Sequence, residues 1–241
     1  MVTILKELTL SGCAFIPTDS DMKSDFYISS DNPCTIFLEQ PLLLLMTEMS
    51  EANSFVLTIR SGGETGVDRA ALDAVLNYNA TKNLPNLDNN AKKSSSSLSV
   101  QVTGWCPKGR LADEGEIPSK YPLNETPNKE FSQKIEWNVR DADATLVLSS
   151  STTLQPDTGT NLTLKATKKM NKPCLPIFLD GDTETNAGEV LRWMNDNNVK
   201  DLNVAGPCES YCPGIHANAR HFVTSLLEMF ERNNEAGLLL S

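Results

Sequence analysis

Between residues 55 and 233, five short apolar runs alternate with five runs of helical period, and this alternation constrains the fold more than any other feature. The apolar runs are FVLTI (55–59), VQVTGW (100–105), ATLVLSS (144–150), CLPIFLD (174–180) and DLNVAG (201–206). VDRAALDAVLNYN (67–79) sets Val67, Ala70, Ala71, Ala74, Val75 and Tyr78 at helical spacing. KEFSQKIEWNVRDA (129–142) puts Phe131, Ile135 and Val139 on one stripe. NLTLKATKKM (161–170), EVLRWMNDN (189–197) and GIHANARHFVTSLLEMFERN (214–233) complete the helices. Strands that take turns with helices pair in parallel and bury both faces. The expectation is a single-domain α/β fold, a doubly wound, mostly parallel Rossmann-like sheet with helices on both faces. In a strand order 2-1-3-4-5, the first and third strands would adjoin where the winding reverses.

The first strand ends in RSGGETG (60–66), three glycines at the entry to a helix. Glycines there let backbone amides approach a ligand, and the helix start offers unpaired N–H groups and a positive dipole end. The turn reads as an anion site or simply as a corner. It is neither a Walker A loop, since no Lys follows the glycines, nor G-x-G-x-x-G. A second Gly/Thr turn, Asp157-Thr158-Gly159-Thr160, leads into the helix after the third strand, and the two turns would face one crevice. GWCPKGR (104–110) ends the second strand. Lys108 and Arg110 could pair with an oxyanion and Trp105 could stack on a flat ring; the alternative is a solvated basic loop over a packed Trp. Arg140 and Asp141 could close a helix as an ion pair.

The net charge of −10 opposes binding to a nucleic-acid backbone or an anionic membrane. The longest apolar stretch, TIFLEQPLLLLM (35–46), holds Glu39 and Pro41 and is too short to span a bilayer. Six cysteines are too sparse for a disulfide scaffold, and no signal peptide is evident, so a cytoplasmic protein is expected. Cys208, Cys212 and His216 invite a metal reading, but Pro213 and Gly214 interrupt them and no fourth ligand is evident; no metal site and no catalytic residue is assigned. Residues 1–52 read as an N-terminal extension, 53–234 as the ligand-binding domain with a flexible insertion at 80–99, and 235–241 as a tail.

SGGETGVDRAALDA, GWCPKGRLADEGEIP with YPLNET, EWNVRDADATLVL, DTGTNLT and LNVAGPCES with PGI resemble, in this order, the putative molybdenum carrier family. The resemblance runs from about residue 55 to about 230. It implies a Rossmann-like fold related to the phosphoribohydrolases and to the DNA-processing protein DprA. It further implies a homo-oligomer that binds molybdenum cofactor, a phosphate-bearing pterin, with molybdoenzymes as acceptors; a nucleotide is the other candidate ligand. The family usually has Gln at Glu64, Gly at Asp157 and Arg at Cys208. The expected binding residues are Ser61, Gly62, Gly63, Thr65, Gly66, Lys108, Gly109, Arg110, Asp157, Thr158, Gly159 and Thr160. Asp68, Arg69, Trp105, Asn138 and Arg140 would support them. An alternative is a phosphoribohydrolase acting on nucleoside monophosphates. Those enzymes carry a catalytic Glu in P-G-G-x-G-T-x-x-E, and Thr163 stands at that place here.

Overall fold

The chain order is β1 (Val56–Arg60), α1 (Val67–Lys82), β2 (Ser99–Thr103), β3 (Trp105–Cys106), β4 (Leu111–Ala112), β5 (Gly115–Glu116), β6 (Asn124–Glu125), α2 (Phe131–Asp141), β7 (Ala144–Ser149), α3 (Thr158–Lys169), β8 (Cys174–Phe178), α4 (Thr183–Asp196), β9 (Asp201–Ala205) and α5 (Ile215–Glu235). The computed structural model describes residues 56–82, 98–150 and 158–236, all in the unit Glu51–Ser241. The expected extension over 1–52, Asp157 and most of the expected tail lie outside the described residues. So does most of the insertion expected over 80–99, although α1 continues to Lys82 and β2 opens at Ser99.

The five apolar runs form one sheet, β2-β1-β9-β7-β8, with every pair parallel. Counted along the chain, the order is 2-1-5-3-4 rather than the expected 2-1-3-4-5. The last strand, β9, lies between the first and the third, pairing Thr58 with Asp201 on one side and Ala144 with Leu202 on the other. Renumbering from β9 as the first strand converts this order to 3-2-1-4-5, the Rossmann arrangement. Hydrophobic period tells a strand from a helix but carries no information on which strands become neighbours.

Successive side chains of a strand point to opposite faces. Leu202 and Val204 of β9 and Leu146 and Leu148 of β7 join the main core with residues of α1, α4 and α5. Packed in the series α1–α5–α4, these helices form one layer, and α2 pairs with α3. Asn203 and Ala205, pointing the other way from β9, reach a crevice shared with α2 and α3. Phe222, Leu226 and Ile215 of α5 are fully buried, and each such side chain contributes roughly 1.5–3 kcal/mol of burial.

A second, smaller core forms beneath the 104–126 segment from Leu72, Cys106, Ile117, Tyr121 and Leu123. Arg110 secures this segment. Its guanidinium donates to the carbonyls of Ile117 (2.9 Å), Pro118 (2.8 Å), Tyr121 (2.9 Å) and Leu123 (3.3 Å). A chain with little regular structure thus has its carbonyls satisfied by one side chain.

Candidate functional site

β1, β9 and β7 are consecutive in the sheet, and the turns after β1 and β9 meet the N-terminus of α3 beyond their carboxyl ends. They open onto a crevice of about 250 Å³. Gly62 and Glu64 enter it from the turn after β1, and Asp68 from the first turn of α1. Ala205, Gly206 and Cys208 form the part that follows β9. Thr158 and Gly159, at the N-terminus of α3, close it from β7's side together with Leu162 and Thr163. With β9 interposed, the carboxyl ends of β1 and β7 stand two strand spacings apart, roughly 10 Å rather than 5 Å. That gap leaves room for a ligand between them.

α2 supplies the wall. Phe131 and Ile135, two members of its predicted apolar stripe, line the crevice instead of the core, and Phe131 remains 38% exposed. Val139, the third member, is buried. Lys134 and Asn138 are buried beside them. Asn138 spends its amide on the backbone of Trp105, accepting from its N–H at 2.8 Å and donating to its carbonyl at 3.0 Å.

Gly62 brings the backbone against the ends of two charged side chains. A Cβ there would stand 2.6 Å from Asp68 Oδ2 and 2.7 Å from Lys134 Nζ. These two charges form an ion pair at 3.5 Å. Burial pushes the Asp68 carboxyl above its ordinary range, with Lys134 and the amides of Glu64 and Gly62 opposing. Burial likewise pushes Glu64 up, opposed by Lys134. Glu64 Oε1 accepts from the amides of Thr65 and Asp113, each at 3.1 Å. Asp113 itself lines the crevice. Three carboxyls therefore face one ammonium among the described lining residues.

Only part of the sequence-derived set is brought together. Gly62, Thr158 and Gly159 line the crevice, as do Asp68 and Asn138 of the supporting set. Thr160 is buried in the first turn of α3 without lining it. Ser61 is buried too, its hydroxyl donating to the Val204 carbonyl at 2.7 Å, which ties β1 to β9. Gly63, at φ +77°, turns toward Leu123 and Ile117 of the smaller core. Gly66, also at φ +77°, abuts the backbone of Pro207 and Cys208. Thr65 is buried beneath the turn, and its hydroxyl finds no partner among the described residues.

The basic loop is placed elsewhere. Lys108 and Gly109 are exposed outside the crevice lining, and the Gly109 amide donates to Glu125. Arg110 is committed to its four carbonyls, so its charge is not available to a ligand as the sequence reading proposed. Trp105 lies outside the crevice lining: its ring and that of Trp137 meet in a T shape at 4.7 Å, and its indole N–H donates to Asp141 at 2.7 Å. Arg140 pairs with Asp141 at 2.6 Å and lies over Trp137. Arg69 reaches back to the Gly63 carbonyl at 3.3 Å.

Sequence reasoning passed over Lys134, Asp113, Phe131, Ile135, Leu162, Asn203, Ala205 and Gly206 as site residues. The signal for the α2 residues was present, since a stripe that leads from Phe131 to Ile135 also carries Lys134. The β9 residues required the strand order. Among the described residues, no group of three or more His, Cys, Asp or Glu is arranged to hold a metal.

Residues 59–227 match the model of the circularly permutated YpsA SLOG family. The chain is similar to the crystal structure of a putative molybdenum carrier protein from Syntrophus aciditrophicus SB. The two are 33% identical with a TM-score of 0.58, over 73% of this chain and 96% of that one. No curated protein matches the chain.

Proposed function

This chain belongs to the circularly permutated YpsA SLOG family, and from that membership we propose that its crevice binds a small phosphate-bearing ligand and carries it without transforming it. The observation that carries the reading is the convergence of the turns after β1 and β9 and the N-terminus of α3 on one crevice with an apolar wall. The positive dipole end of a 12-residue helix favours a phosphate there. Phe131, Ile135 and Leu162 offer a flat ring an apolar surface, while Glu64 and Asp113 offer acceptors to its N–H edge. A volume of about 250 Å³ lies just below the roughly 300–1,000 Å³ of sites for drug-sized ligands, which suits one ring system with its phosphate better than a dinucleotide.

The pterin of the molybdenum cofactor satisfies these terms as cargo, and the name of the Syntrophus protein favours it. A nucleoside monophosphate such as GMP, with the same amino–imino edge, satisfies them too. Carriage rather than hydrolysis is supported by Thr163, whose hydroxyl donates to the Gly159 carbonyl at 3.0 Å where the related hydrolases have an acid. Homo-oligomer formation, delivery to molybdoenzymes and a cytoplasmic setting complete the reading. Among the described residues no helix is long and apolar enough to cross a membrane.

Native mass spectrometry of the full chain should find a co-purifying pterin or nucleotide, and calorimetry should detect GMP binding. Gly62→Leu should abolish both, because its side chain would occupy the space between Asp68 and Lys134. A folded Gly62→Leu protein that retains wild-type affinity would sink the reading.

A further inference from the structure

We propose that Lys134 is the residue that receives the ligand's anionic group, exchanging its partner Asp68 for that anion when the ligand binds. The inference rests on the binding reading above and names the charge that reading needs.

The side chain of Lys134 is 6% exposed and lines the crevice. Its ammonium carries three N–H donors. Among the described residues its one hydrogen-bond partner is Asp68, at the long distance of 3.5 Å, and the Phe131 ring lies 5.8 Å away. A buried cation with donors to spare is costly unless something pairs with it. The N-terminus of α3 lines the same crevice and favours the same sign of ligand charge. Two independent features, one a side chain and one a helix end, thus select an anion. Lys108 is exposed outside the lining and Arg110 is spent on carbonyls, which leaves Lys134 to supply the charge.

Asp68 holds the ammonium in readiness and competes with the ligand for it. Gly62 keeps both groups in reach of the crevice, since any Cβ would press on the two charged ends. Glu64 and Asp113 add negative charge on the rim, so the ligand class is defined at both ends: a phosphate or other oxyanion toward Lys134, N–H donors toward the carboxyls.

The test is calorimetric titration of inorganic phosphate, GMP and guanosine into the full chain and its Lys134→Met, Asp68→Asn, double Lys134→Met/Asp68→Asn, Lys134→Arg and Lys108→Ala variants. Lys134→Met should weaken GMP and phosphate by about tenfold or more, the loss of a charge-assisted hydrogen bond, and leave guanosine within about twofold. Asp68→Asn should tighten both anions by about threefold, because a competing carboxylate is gone. Lys134→Arg should keep most of the affinity, and Lys108→Ala all of it. The double variant guards against misfolding from a stranded buried carboxylate, and it too should lose the anions. GMP binding unchanged in a folded Lys134→Met or double variant overturns the inference while leaving the binding reading intact. Failure of the wild type to bind either GMP or guanosine overturns both.

Discussion

Gly62 faces Asp68 and Lys134, whereas Gly63, one residue on, faces Leu123 and Ile117 at φ +77°. A substitution at Gly62 therefore acts on the crevice, and one at Gly63 acts on stability. Gly63→Val should lose roughly 1–3 kcal/mol from backbone strain, and more from the clash 2.6 Å from Leu123 Cδ1. A lowered thermal midpoint with unchanged ligand affinity in the folded fraction is the expected pair of results; a midpoint equal to wild type would contradict it. Glu64 makes a second residue-scale prediction. Its carboxyl titrates above the ordinary range because of burial, beside Asp68, Asp113 and Lys134. Protonation removes negative charge from an anion-binding crevice, so anion affinity should rise as pH falls toward that raised range. Glu64→Gln should bind inorganic phosphate, which has no N–H edge for the carboxylate to accept from, more tightly than wild type at pH 7, and the difference should shrink in acid. Comparing the two proteins at each pH cancels the titration of the phosphate itself. A difference that stays constant with pH would refute the assignment.

Elements are tied together through shared acceptors. Asp73 on α1 accepts from Lys120 (2.8 Å) and Tyr121 (2.9 Å) with one oxygen, and its other oxygen lies 3.2 Å from His216 Nε2 at the start of α5. Burial raises its pKa, but the hydrogen bonds from Lys120, Tyr121 and His216 outweigh that and hold it below the ordinary carboxylate range. A depressed carboxyl contributes stability above its unfolded pKa, near 4, and loses it as pH falls through the lower folded value. Asp73→Asn should thus be less stable than wild type at pH 7, on the order of 1 kcal/mol, with the gap closing in acid as pH falls through the depressed folded value. Urea unfolding at pH 7 and in acid measures it, and a gap that persists in acid would mean packing rather than charge is responsible. The same cluster fixes α5 beside the 206–214 turn, where Glu209 accepts from the amides of Gly214 and His216.

For the whole molecule, the decisive fact is that the last strand is central. β9 bonds to β1 and β7 and separates them, so the native sheet cannot close until residues 201–205 are in place. A chain ending at Lys200 should lack a cooperative thermal transition, since β1 and β7 would each lose a neighbour and the α5 layer would be gone. A cooperative melt of that fragment, followed by near-ultraviolet circular dichroism, would contradict this. Had the order been 2-1-3-4-5, the same deletion would have removed an edge strand with α5 and left β1 and β7 paired.

Elements were legible in the sequence because their periods are local. The stripe Val67, Ala70, Ala71, Ala74, Val75, Tyr78 is buried residue for residue, and each of the five apolar runs is a strand. The two glycine turns could be assigned to strand ends for the same reason. What lies between those turns depended on strand order, which no local pattern encodes, and so Ala205 and Gly206 came into view as crevice residues only with the fold. The placement of the charges lay beyond a local pattern for the same reason. Lys108 and Arg110 looked available because they stand near glycines, whereas Arg110 folds back on four carbonyls, and Lys134, one position before an apolar stripe residue, turns into the crevice. Sequence determines which residue types are present and how they repeat; only tertiary packing determines which polar groups are already satisfied, and a binding site is made of those that are not.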